Sequence, residues 1–323
     1  MRNTIASTPD SAETALLPRL GMGTASIAWP HVDADTAQEA LAAAWHGGVR
    51  YYDTAPMYGA GLAEKRAGLF LSQQPRDDFR LSTKVGRLVA PDGSGVHWDF
   101  SADGIMRSVD ESLERLGLDR IDVALVHDPD EHWSQAIGEA LPVLIGLREQ
   151  GVIGAVGVGM NDPAMLTRFV EQSDIDVVLA AAQYSLLDLA ALPELLPACL
   201  RNGVAVVVAQ ALAGGLIDGV AAPEFHYRPA PPEIIDRARR IAAVCHRYGV
   251  PTAAAAIQFP LGHPAVTTVL FGAENATMVA DDLAWSRWPM PEEVWAELVT
   301  AGLLGPDVPT PGRTLADRTG DLP

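Results

Sequence analysis

The sequence predicts an α/β protein, a (β/α)8 TIM barrel whose active site lies at the C-terminal face of its strands. Two observations carry that expectation. Apolar, β-branched runs alternate with stretches of helical periodicity along nearly the whole chain, and eight such runs fit between residues 20 and 271. Strands that alternate with helices need parallel pairing and helical crossovers. An open doubly wound sheet satisfies the same alternation, but eight units in about 250 residues favour closure into a barrel.

The runs read as strands are Leu20–Thr24, Val49–Asp53, Phe79–Lys84, Ile121–His127, Ile153–Val158, Val177–Ala182, Val204–Ala209 and Val266–Phe271. Helical patterns between them include Thr36–His46, Gly104–Leu116, Glu139–Gln150, Ala164–Glu171 and Glu233–Tyr248. The last places Ile234, Ala238, Ile241 and Cys245 at spacings of three and four, the stripe by which a helix covers a sheet. Two intervals break the even spacing. A turn-rich loop lies between Val85 and Phe100 after the third strand, and a Pro-rich loop lies between Ile217 and Pro232 after the seventh. Loops that follow strands sit on the catalytic face of such a barrel, so both are expected to shape a pocket. No linker divides the chain, which reads as one domain over 1–323 with a barrel core at about 19–300. Its polar, Pro/Gly-rich ends, 1–18 and 305–323, are expected to be extended.

Composition narrows the function. The chain has 323 residues, 48% of them hydrophobic and 20% charged, with a formal net charge of −18. So acidic a surface repels nucleic-acid backbones and anionic membranes, and neither partner is expected. The N-terminus lacks an apolar secretory core, and no apolar run approaches the ~20 residues of a membrane span. The expected location is the cytoplasm. Cys199 and Cys245 fall in helical patterns and read as core residues. His97, His132, His226 and His263 lie in loops without metal-ligand spacing and read as solvated, and no metal is expected.

The tips of the second, third and fourth strands carry Asp53, Lys84 and His127, and Tyr58 follows Asp53 by five residues in the loop APMYG. Three polar residues at the same end of successive barrel strands converge on one area. Any one of them alone is explained by capping or an ion pair, and Tyr58 alone by packing; together they suit proton transfer. Reduction of a carbonyl by hydride leaves an alkoxide that needs a proton donor within hydrogen-bond reach. Tyr58 is that donor, Lys84 is expected to lower the phenol's pKa, Asp53 to hold Lys84, and His127 to polarise the carbonyl oxygen.

The segments GVRYYDTAPMYG, LSTKVGR and ALVHDPD resemble, in order and spacing, the landmark motifs of the aldo-keto reductase superfamily. The likeness runs from about residue 19 to 300. Two longer segments, WDFSADGIMRSVDESLERLGLDRIDVALVHDPD and RIAAVCHRYGVPTAAAAIQFPLGHPAV, are similar to its aldose 1-dehydrogenase branch, which includes L-fucose, D-threo-aldose and pyridoxal dehydrogenases. The resemblance implies hydride transfer between NAD(P)(H) and a carbonyl or sugar carbon, with Asp53, Tyr58, Lys84 and His127 as catalytic tetrad. It also implies that Asn161 and Gln183 hold the nicotinamide carboxamide. Gly214, Gly215 and Leu216 would wrap the pyrophosphate (read alone, they make a plain turn), and Gly272, Ala273, Glu274 and Met278 would meet the adenosine end.

Three departures stand out: GVGMN replaces GVSN, Ala63 replaces a common serine, and residues 271–283 contain no basic residue. The last favours NAD over NADP, with Met278 where an arginine is usual. Trp29, Trp98 and Trp133 follow the first, third and fourth strands and either floor a sugar pocket or pack. Oxidation of an aldose at C1, or reduction of a related aldehyde or ketone, is the leading expectation. A biosynthetic ketoreductase or epimerase, or a redox-sensing cofactor-binding subunit, uses the same fold.

Overall fold

The computed structural model describes residues 17–90, 92, 95–217, 224–226 and 228–312. Eight parallel strands close into a barrel: β1 Leu20–Gly23, β2 Tyr51–Asp53, β3 Arg80–Val85, β4 Ile121–His127, β5 Ile153–Met160, β6 Val177–Ala181, β7 Ala205–Ala209 and β8 Val266–Gly272. Each pairs with its sequence neighbours and β8 closes on β1, so every expected strand is present and in the expected order.

Around them run α1 Ala34–His46, α2 Leu62–Leu71, α3 Ala102–Leu116, α4 Leu141–Glu149, α5 Pro163–Gln172, α6 Leu195–Asn202, α7 Pro232–Arg247, α8 Thr252–Gln258, α9 Ala276–Ser286 and α10 Glu292–Thr300. Their starts follow local chemistry. Asp33, Ser101, Asp162 and Asn275 each accept a hydrogen bond from an amide of the first turn, filling a donor the helix cannot satisfy itself. α4 departs from the expected Glu139 start, because the chain enters it through a π-helical stretch, Ala136–Ala140.

Period-two alternation sorts the side chains. Tyr51, Val123, Leu125, Leu179, Val207 and Leu270 fill the barrel interior with Leu17. The alternate residues, such as Tyr52, Leu81, Val126 and Val156, pack outward against the helices. Cys199 and Cys245 are buried in that outer layer, where burial pushes their thiols up to about 12 and about 11.

Where they are described, the ends pack on the barrel. Leu17 is buried in the barrel interior, and the carbonyl of Pro18 accepts from Thr268 Oγ1 (2.7 Å). Val308 and Thr310 are also buried, and the backbone of Thr310 passes so close to Gly262 that a Cβ there would lie 2.4 Å away.

Both long loops fold into hairpins at the mouth. Arg87–Val89 pairs antiparallel with Val96–Trp98, and Glu224–Phe225 with Arg228–Pro229. Residues 91, 93, 94, 218–223 and 227 of these loops lie outside the described set.

Candidate active site

The register of the barrel decides how its mouth is built. Asp53 sits level with Ser82, Lys84 with Leu125, and His127 with Gly159. Each strand therefore reaches further up than the one before, and the three side chains climb in steps. Asp53 is deepest, Lys84 above it and His127 at the rim. Alternation turns all three inward, together with Tyr51 and Ser82.

The resulting chain of contacts is continuous. Lys84 Nζ donates to Asp53 Oδ2 (2.7 Å), to the carbonyl of Thr54 (2.9 Å) and to Tyr58 Oη (3.0 Å). Ser82 Oγ donates to Asp53 Oδ1 (2.6 Å), which leaves Tyr51 Oη to donate to Ser82 (2.8 Å). Asp53 is thus held on both oxygens. The turn Thr54–Gly61 brings Tyr58 back over the ammonium, and the His127 ring meets the phenol edge-on at 6.2 Å. The structure unites the four residues that the strand tips implied.

The electrostatics correct one expectation. Burial raises the Tyr58 phenol above its ordinary value; the Lys84 ammonium pulls it down, but not by enough to reverse the sign, and Asp53 adds to the rise. Lys84 is itself raised, because Asp53 and Tyr58 outweigh its desolvation, so it stays charged. His127 lies well below its ordinary value through burial, with Lys84 and Arg87 adding repulsion. It is neutral at physiological pH. Its Nδ1 is buried without a hydrogen-bond partner, and Nε2 lies 3.6 Å from Asp128 Oδ2. A carboxylate beside Nε2 favours the tautomer with the proton there, which presents a donor toward the mouth.

The other half of the rim carries the remaining expected residues in strand order. Asn161 follows β5 and is exposed; Gln183 follows β6 and is 6% exposed. Gly214, Gly215 and Leu216 follow β7, where Ala213–Gly215 forms a 3-10 turn with Leu216 buried. Gly272, Ala273 and Glu274 follow β8, and the partly exposed Met278 lies in the first turn of α9.

Two contacts there had no signal in the sequence. Gln183 Nε2 bonds His226 Nδ1 (3.2 Å), whose Nε2 meets Asp188 Oδ2 (2.7 Å), so His226 is a networked residue and not a solvated one. His31 Nε2 meets Glu274 Oε2 at 2.5 Å, linking the loops after β1 and β8. The other loop histidines are not simply solvated either: His132 stacks on Trp98, a ring nitrogen of His97 is buried, and His263 is 5% exposed.

The tryptophans divide. Trp29 and Trp98 are about half exposed at the mouth. Trp133 packs against α5, with Phe169 4.4 Å away between ring centroids and Arg168 4.0 Å over its ring, which favours the packing alternative.

Known families give this arrangement a place. Residues 19–302 match the family model described as the aldo/keto reductase family. The chain is an aldo/keto reductase. As a member of that family it is an oxidoreductase. It is 40% identical to a D-threo-aldose 1-dehydrogenase from Pseudomonas sp, over 94% of this chain and 98% of that one. It is 36% identical to a pyridoxal 4-dehydrogenase from Microbacterium luteolum, over 88% of this chain and 94% of that one. In structure it matches the holo form of the aldo-keto reductase AKR11C1 from Bacillus halodurans with a TM-score of 0.73 at 26% identity, over 93% and 95% of the two chains. Among the described residues, no helix of this reductase is long and apolar enough to cross a membrane.

Proposed function

We propose that this reductase moves a hydride between NAD(P)(H) and the C1 carbon of an aldose, or a related aldehyde or ketone carbon, with Tyr58 as general acid and base. The observation that carries the reading is the Asp53–Lys84–Tyr58 chain, at 2.7 and 3.0 Å, which runs from a buried carboxylate to a half-buried phenol beside neutral His127. The identity to an aldose dehydrogenase supports the choice of substrate class.

The donor set of the rim suits a nicotinamide coenzyme. Asn161 and Gln183 supply side-chain amides just past the ends of adjacent strands, Gln183 buried and oriented by His226. The first-turn amides of α9, an eleven-residue helix, face the loop of Gly272 to Glu274 and suit the coenzyme's far end. When bound, that coenzyme supplies or accepts the hydride. The chain's own residues manage the proton. Tyr58 Oη gives it to the oxygen of the reduced carbonyl or takes it from the hydroxyl being oxidised. Lys84 stabilises the phenolate so formed, Asp53 keeps Lys84 charged and in place, and His127 donates from Nε2 to the same substrate oxygen.

NAD is the preferred form in this reading. No basic side chain occurs from 271 to 283, and Arg287 bonds the carbonyl of Gly47 at the floor (2.6 Å), away from the mouth. Glu274, which meets His31, would repel a 2′-phosphate. A screen of aldoses and simple aldehydes, followed by NAD(P)H absorbance, tests the activity. kcat/KM for both coenzymes at one ionic strength tests the preference, and a tenfold advantage for NADP would reject it.

A further inference from the structure

Beside the tetrad lies a second charged cluster that the proton relay does not use. Asp128 follows His127 at the end of β4 with φ +42°, in the left-handed region. Its N–H still donates to the carbonyl of Gly159 (2.9 Å), so the ladder continues one residue past the strand before the chain turns. A non-glycine residue in that region is strained, least so for Asp and Asn. Strain of this kind gathers at ligand sites.

The turn sets Asp128 Oδ2 2.6 Å from Arg87 Nη1 and 3.6 Å from His127 Nε2. Its charge is felt by the Tyr58 phenol. No described residue donates a hydrogen bond to Oδ1. Arg87 opens the hairpin after β3 and pairs across it with Trp98, and its guanidinium lies 4.3 Å over the indole. Trp98 remains 46% exposed, and the Asp128 side chain 28%.

We infer that Asp128 and Arg87 form a hydroxyl-recognition subsite, which binds the hydroxyl on the carbon next to the reacting one while Trp98 covers the apolar face of the sugar. The chemistry selects that ligand. A carboxylate accepts from hydroxyls, a guanidinium donates to them, and an indole face stacks on C–H surface. The pair is also neutral overall. Arginine alone would favour an anionic acid and aspartate alone an amine, whereas the couple suits an uncharged polyhydroxy carbonyl compound. This inference rests on the proposed aldose activity and names how that substrate is chosen.

The test compares the best aldose of the screen with its 2-deoxy analogue, and uses propanal reduction as a measure of the tetrad alone. Asp128→Asn keeps size and tolerance of positive φ but removes the charge. It is expected to lower kcat/KM for the aldose about 10–100-fold, the loss of a hydrogen bond to a charged group, mainly through KM. The 2-deoxy sugar and propanal should fall by a smaller, common factor, which reports what the carboxylate does for His127 and Tyr58. Arg87→Lys, which keeps the charge and loses the fork geometry, should show the same split more weakly and serves if Asp128→Asn fails to fold. A uniform fall on all three substrates would overturn the subsite, since Asp128 would then act only through His127 or the hairpin. Wild-type enzyme that reduces propanal but oxidises no aldose would instead overturn the aldose reading itself.

Discussion

At the floor of the barrel Asp122 Oδ2 takes hydrogen bonds from Arg76 (2.6 Å) and from the Leu81 N–H (2.8 Å). Asp176 does the same for Arg148 (2.7 Å) and the Val156 N–H (2.8 Å). These acid–base pairs keep contact with water and tie the start of one strand to its neighbour. At the mouth, Asp53 and Lys84 are 3% and 2% exposed, and their hydrogen bonds run to Ser82, Thr54 and Tyr58. The backbone divides the same way. Ala60, Asp128, Ala182, Gln210, Ala213 and His226, the described non-glycine residues with left-handed φ, all lie in loops that follow strands. The floor uses charge in contact with water to secure the fold. The mouth holds charge in a dry setting and non-glycine backbone under strain, which lowers stability and fixes the side chains there.

The sharpest test of that division is Tyr58→Phe. The hydroxyl is the only atom lost, so kcat should fall by about 10²–10⁴ while coenzyme affinity, measured by fluorescence titration, and melting temperature hold. Activity near wild type would mean that the buried pair at the mouth is structural after all, like those at the floor.

The second test is the pH profile. A phenol raised above its ordinary value is mostly protonated through the neutral and mildly alkaline range, so the phenolate fraction rises up to about tenfold per pH unit. Oxidation, which needs the phenolate, should therefore climb with pH and show no plateau below about pH 10. Reduction, which needs the phenol, should stay level over the same range. His127, already neutral, should add no limb near pH 6.5. A plateau in oxidation near neutrality would show that Lys84 outweighs burial.

All eight strands and the meeting of Asp53, Tyr58, Lys84 and His127 are legible because period two and βα alternation act locally, and a strand tip fixes a side chain's place. The sign of the Tyr58 shift is not legible, because Lys84 is visible in the sequence and burial is not. Gln183 and His226 are 43 residues apart and meet only because the loop after β7 folds back across the mouth. The hairpin Arg87–Val89 with Val96–Trp98 has strands of three residues, too short for an alternation to register. Trp133 follows β4 as Trp98 follows β3, and nothing in either segment says that one turns onto α5 and the other toward the mouth.

Asp122→Asn tests the floor. It weakens the charge-assisted bond to Arg76 and one of the bonds that register β3 against β4, so stability in urea should drop by about 1–3 kcal/mol. kcat/KM per folded molecule should be unchanged. Asp53→Asn breaks the contrast from the other side: it strands a buried ammonium, at a cost of about 3–5 kcal/mol, and disables turnover as well.

The smallest effect isolates backbone from side chain. Gly203 ends α6 at φ +66°, and a Cβ added there would meet nothing within 4 Å. Gly203→Ala thus adds no clash, only a left-handed alanine, at ~1–2 kcal/mol. The stiffer unfolded chain offsets ~0.4–1 kcal/mol of that, so the net loss is about 1 kcal/mol with full activity. Ala182, at φ +60° after β6, already bears the same strain at the mouth. Ala182→Gly relieves it, and stability should rise slightly or hold. The neighbouring Gln183 loses a rigid anchor, however, and coenzyme Kd should increase a few-fold. Should Gly203→Ala weaken coenzyme binding as much as Ala182→Gly does, backbone strain would be communicated through the whole barrel, and floor and mouth would not be separable.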